Sequence, residues 1–161
     1  MTIKKEAAFH EAAHAVTAYY SKFHSIVLGI DLGDYGAGET FVSLSKSKCI
    51  ENGKPPTAET AKDKEVSKEL AVILCSGYVG ELIAAETDPS LKPSRSSAGP
   101  DYQLAVQNLK AAGLRHKYDF HHDNARTFLE SKWDVVNKLA EHLFSVKKES
   151  AENIIKFIEN A

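Results

Sequence analysis

At 161 residues, 43% of them hydrophobic and 26% charged, the chain has the size and make-up of one globular domain with a sizeable core. A net charge of −2, with no clustered Lys/Arg run, argues against nucleic acid as a partner. Two cysteines, Cys49 and Cys75, lie far apart without Cys-x-x-Cys spacing, which argues against a disulfide framework and a thiolate metal site.

Residues 3–22 are expected to form the first helix, and it carries the most informative motif in the chain, His10-Glu11-Ala12-Ala13-His14. Residues four apart on a helix stand nearly one above the other, so both imidazoles project from one face at a separation that a single metal ion can bridge. Glu11 lies about 100° round the helix from His10, within reach of a water beside that metal. The flanks, Ala7, Ala8, Phe9, Ala12, Ala13, Ala15, Val16 and Ala18, are apolar and mostly small. Three ionisable groups in such a helix face a desolvation cost unless partners or a metal offset it. The expected chemistry is that of a zinc hydrolase.

Residues 24–32 are expected to form a strand, Gly33 to Gly38 a glycine-rich turn, and Glu39 to Leu44 a second strand completing a hairpin. Lys46 to Lys62, with Pro55-Pro56 at its centre, is expected to be a polar loop. Residues 63–86 carry a helical pattern with Leu70, Ile73, Leu74, Val79, Leu82 and Ile83 on the buried side, and Asp88-Pro89 ends it. Lys92 to Gly99 is expected to be a Ser-rich loop, followed by a third helix from near Pro100 to about Ala112. Residues 122–144 and 148–160 give two more helices, with Trp133, Val136, Leu139 and Leu143 as core positions in the first. The expected fold class is mainly α, with one small β-hairpin after the motif helix, in a single domain over 1–161. Met1 to Glu6 lacks the apolar stretch of a signal peptide, and the longest apolar runs, such as Leu70 to Cys75, are too short to span a bilayer. A cytoplasmic protein with no membrane span is expected.

Two His and a water leave a zinc site one protein ligand short. A metzincin would continue with Gly and His, but Thr17 and Tyr20 stand at those positions. Glu81 and Glu86 are candidates on a downstream helix. Asp101, expected in the first turn of a helix after the Ser-rich loop, is another, although acids are also favoured there by the helix dipole alone.

Four segments resemble the peptidase domain of the FtsH-type ATP-dependent zinc proteases. Phe9-His-Glu-Ala-Ala-His-Ala15 resembles the family's His-Glu-Ala-Gly-His-Ala, and Leu70 to Ile83 resembles its second helix. Ser96-Ser-Ala-Gly-Pro-Asp-Tyr-Gln-Leu-Ala105 resembles the segment that presents an aspartate ligand. Ala125 to Leu143 resembles a helix near the family's C-terminus. The resemblance implies a helical zincin-like fold, zinc held by His10, His14 and Asp101, and Glu11 as the general base. It further implies that the strand Glu39 to Leu44 pairs with extended substrate backbone.

The chain departs from the family at Ala13, where the family has Gly, and it contains no Walker A motif. The expected function is therefore that of a zinc metallopeptidase acting on peptides or unfolded protein, alone, as a homo-oligomer or with a separate ATPase. The alternative is a non-catalytic peptide- or partner-binding module that keeps the peptidase fold. His24, His116, His121 and His122 are candidates to stabilise an oxyanion, and His121-His122 is a candidate second metal site.

Overall fold

The computed structural model describes residues 3–34, 41–115 and 118–161. The described residues are mainly helical. In chain order they form α1 (Lys5–Tyr19), β1 (His24–Ile26), β2 (Ile30–Asp31), a 3₁₀ turn (Leu32–Asp34), β3 (Val42–Leu44), α2 (Lys46–Glu51), α3 (Lys64–Thr87), α4 (Arg95–Ala111), α5 (Tyr118–Ser131), α6 (Trp133–Val146), β4 (Lys148–Glu149) and α7 (Ala151–Glu159).

The motif helix α1 is the centre of the molecule, with α3 on one side and α6 on another. Every residue from Ala7 to Ala18 is buried except Glu11. Small side chains make that position possible. A Cβ at Gly80 of α3 would fall 2.6 Å from the Ala13 Cβ and 3.1 Å from the Phe9 carbonyl oxygen, so the two helices touch backbone to side chain. The Ala13 methyl thus occupies space that Gly80 leaves open. Phe9, on the other flank, stacks on Trp133 with ring centroids 5.8 Å apart, which makes Trp133 a partly buried packing residue.

Helix α3 begins where its sequence says it should. Asp63 caps it by accepting from the backbone N–H groups of Glu65 and Val66. Ile73, Leu74, Val79 and Ile83 are buried as expected, while Leu70 and Leu82 are only partly so. By length and composition α3 could cross a membrane, but most of its apolar stretch is buried against α1, α4 and α5.

Four expectations need correction. The strand expected over residues 24–32 is two strands: β1 pairs antiparallel with β3 (Ser25 opposite Ser43), and β2 turns away to pair with β4 near the end of the chain. Gly29 permits that turn, because a Cβ there would lie 2.5 Å from the Glu149 carbonyl oxygen. The first two residues of the expected second strand, Glu39 and Thr40, and the turn residues Tyr35 to Gly38 lie outside the described residues. The polar stretch after β3 begins as a short helix, α2, capped by Ser45. Helix α4 starts at Arg95 rather than near Pro100, so Pro100 and Asp101 sit in its second turn. Tertiary anchoring overrides the Ser-rich composition there, since the Ser94 N–H and the buried Ser97 hydroxyl both donate to Glu81 of α3. Finally, the helix expected over 122–144 is divided at Lys132 into α5 and α6, and the last helix is preceded by β4.

Candidate metal centre

Three elements bring His10, His14 and Asp101 together. On α4 the buried residues are Ser97, Asp101, Ala105 and Leu109, a stripe four residues apart that faces inward, so the Asp101 carboxylate points at α1. Its Oδ2 lies 3.1 Å from His10 Nε2 and 3.1 Å from His14 Nε2, and the two nitrogens are themselves 3.1 Å apart. All three side chains are almost wholly excluded from solvent. These residues form a buried group that could hold a metal ion.

The opposite edge of each imidazole is fixed by α3, which runs antiparallel to α1. His10 Nδ1 donates to Glu81 Oε2 at 2.6 Å, and His14 Nδ1 donates to the Ile73 carbonyl at 2.8 Å. Between those contacts, one turn from each, lies Gly77. A Cβ on Gly77 would fall 2.6 Å from His10 Nε2 and closer still to His14 Nε2, so only glycine leaves room for both rings. Glu81 is fully buried and also accepts from Ser97 Oγ at 2.9 Å and from the Ser94 N–H at 3.1 Å. Acceptors on both Nδ1 atoms leave each neutral imidazole with its Nε2 lone pair aimed at the other and at Asp101.

That arrangement sets three acceptor atoms at van der Waals contact with no proton among them. Asp101 Oδ1, also buried, has no hydrogen-bond partner among the described residues. Such a cluster is repulsive unless a cation sits within it, either a proton on an imidazole or a metal ion. The spacing is close to that of a metal site: tetrahedral zinc with bonds of about 2.0–2.2 Å keeps its ligand atoms about 3.3–3.6 Å apart, slightly more than the 3.1 Å here. Carboxylate and carbonyl acceptors on the non-ligating nitrogens are the usual outer partners of metal-binding histidines.

The charges of the cluster also act on one another. Burial alone would raise the Asp101 pKa, but His14 and His10 outweigh it and hold the carboxylate well below its usual range. Burial would lower the His10 pKa, yet its hydrogen bonds to Asp101 and Glu81 leave it raised. Glu11 is different. Its Oε1 stands 3.9 Å from His10 Nε2, and its side chain keeps 15% of its surface exposed, the one opening to solvent in that stretch of α1. Burial raises its pKa above the ordinary carboxylate value, against the pull of His14 and His10.

The other candidates fall elsewhere. Glu81 touches the far nitrogen of His10 rather than the converging one, and Glu86 pairs with Arg126 on α5. His24 is buried in β1, and its Nδ1 lies 2.7 Å from Glu69. His121 and His122 lie in α5 rather than in a loop, and among the described residues they belong to no metal-holding group. His116 lies outside the described residues. Cys75 is buried, and its thiol is pushed up to about 12 by desolvation and by Asp101. Beyond the motif, β3 begins at the site: the Phe41 ring just before it meets the His14 ring, with centroids 6.3 Å apart. No protein-family model, no curated protein and no solved structure matches the chain.

Proposed function

We propose that this protein is a zinc-dependent metallopeptidase, an endopeptidase or oligopeptidase related to the peptidase domain of the FtsH-type proteases. The observation that supports it most is the pairing of two unlike environments on one helix turn. His10 and His14 are sealed among acceptors with Asp101, while Glu11 between them alone reaches solvent.

His10, His14 and Asp101 would hold the ion, which when bound supplies Lewis acidity that acidifies water and polarises a carbonyl. Glu11 takes the proton of the attacking water and returns it to the leaving amine. Glu11 is the one side chain of that turn open to solvent, which supports both duties. Glu81 and the Ile73 carbonyl hold the imidazoles in the tautomer that presents Nε2, and Gly77 keeps the rings from being displaced.

Substrate backbone is bound along β3. Its inner edge is taken by β1, its outer edge is unpaired among the described residues, and it starts beside His14. Strand addition there uses main-chain hydrogen bonds and so suits peptides or unfolded chains of varied sequence.

Digestion of unfolded casein, with peptide products identified by mass spectrometry, tests the proposal. Cleavage should stop on addition of a chelator, return with zinc, and be absent from Glu11→Gln protein. Metal-loaded protein that binds peptides but never cleaves them would favour a non-catalytic peptide-binding module instead.

A further inference from the structure

Along the α3–α4 pair lies a solvent-open groove of about 280 Å³ lined by Tyr78, Arg95, Ala98, Gly99 and Tyr102. Its walls are chain neighbours of site residues on both helices: Tyr78 follows Gly77, which packs on both imidazoles, and Tyr102 follows Asp101. Ser94, just before Arg95, and Ser97, two residues after it, reach the site, since the Ser94 N–H and Ser97 Oγ hold the carboxylate that orients His10. A Cβ on Gly99 would meet nothing within 4 Å, so that wall is open.

Among the described residues, Arg95 is the only charged one lining the groove. Among the described residues it has no carboxylate partner, whereas Arg126 on α5 is paired with Glu86 and Glu130. An arginine presents a planar fork of donors that matches a carboxylate, and tyrosine rings flanking it add hydroxyl groups and flat apolar walls.

We propose that this groove binds a carboxylate of the peptide substrate, an acidic side chain or the C-terminal group, through Arg95. The proposal rests on the peptidase reading for its ligand. It gives the protein a specificity that strand addition along β3 cannot supply, because main-chain pairing is indifferent to side-chain charge. Arg95 is a specificity residue here and touches no reacting atom.

The test measures binding, so that failure of catalysis and failure of this pocket are told apart. Fluorescein-labelled, C-amidated hexaalanine peptides carry Glu at each position in turn, with Gln counterparts and one all-Ala peptide with a free C-terminus. Zinc-loaded Glu11→Gln protein is titrated with each, and anisotropy is read.

One Glu position, or the free acid, is expected to bind about tenfold tighter than its neutral counterpart, the scale of one charge-assisted hydrogen bond. Which of the two does so identifies the source of the carboxylate. Arg95→Met should bring the ratio to one, and Arg95→Lys should keep part of it. No preference in the parent protein, or a preference that survives Arg95→Met, overturns the proposal. If wild-type protein fails to cleave any of the peptides while the Arg95-dependent preference persists, the peptidase reading fails and the pocket stands.

Discussion

His10 and Glu81, 71 positions apart in sequence, share a 2.6 Å hydrogen bond between Nδ1 and Oε2 with both side chains shut off from solvent. The bond fixes which nitrogen of His10 faces His14 and Asp101. Glu81→Gln keeps the size and shape of the side chain but removes the negative charge opposite the ring. Zinc affinity should fall about 10–100-fold, as measured by competition with a chromophoric chelator. Unchanged affinity would show that Glu81 has no part in presenting His10.

Gly77 makes a sharper test of the packing. Any side chain at this position must displace at least one imidazole, because the added Cβ lies 2.6 Å from His10 Nε2. Gly77→Ala is expected to destabilise the protein by about 1–3 kcal/mol, as overpacking of a core does, and to abolish stoichiometric metal binding. Denaturant unfolding and metal content measure the two effects separately. A fully metallated Gly77→Ala protein of normal stability would contradict the geometry.

Glu11→Gln should leave the metal in place and remove turnover, since an amide cannot accept the water's proton. Initial rates of peptide hydrolysis, paired with zinc content of the same sample, decide the matter. Retained hydrolysis, with contaminating protease excluded, would refute the general-base role.

A carboxylate away from the site gives the protein an acid limb. Burial works to raise the Glu69 pKa, but hydrogen bonds from His24 Nδ1 and from the Lys22 and Phe23 N–H groups outweigh it and leave the pKa lowered. A folded-state pKa below the unfolded value of about 4.3 contributes stability that is present above that pH. The contribution is lost as pH falls through the folded pKa. Glu69→Gln should therefore be less stable than wild type at pH 7 and lose less on acidification below about pH 4.3. Urea unfolding across that range checks the difference, and parallel curves for the two proteins would contradict it.

The arrangement of His10, Glu11 and His14 is readable from five consecutive residues, because helical spacing of four is enough to stack His10 on His14 and to set Glu11 aside. Asp101 is one of several candidate ligands in the sequence, and only resemblance singles it out. Its position became clear in the fold from the stripe Ser97, Asp101, Ala105 and Leu109, a spacing of four that the sequence does contain. The composition of 92–99 hid it, since serine, glycine and proline point to a loop unless something holds the turn, and what holds it is Glu81 from another helix. Glu81 itself reads in the sequence as a candidate ligand. Nothing local distinguishes a ligand from a residue behind one, since that depends on which ring nitrogen it meets.

The strands were harder for a related reason. β2 pairs with β4 across more than a hundred residues, so no pattern within 24–32 marks the break after β1. The division of α5 from α6 at Lys132 has no Gly or Pro to announce it.

Metal content of the purified protein bears most directly on all of this. After dialysis against micromolar zinc and removal of the excess, wild-type protein should retain one equivalent per chain, and His14→Ala and Asp101→Ala proteins of normal helical content should retain none. Wild-type protein that holds no zinc, or an Asp101→Ala protein that holds a full equivalent, would contradict the metal centre on which the proposed chemistry depends.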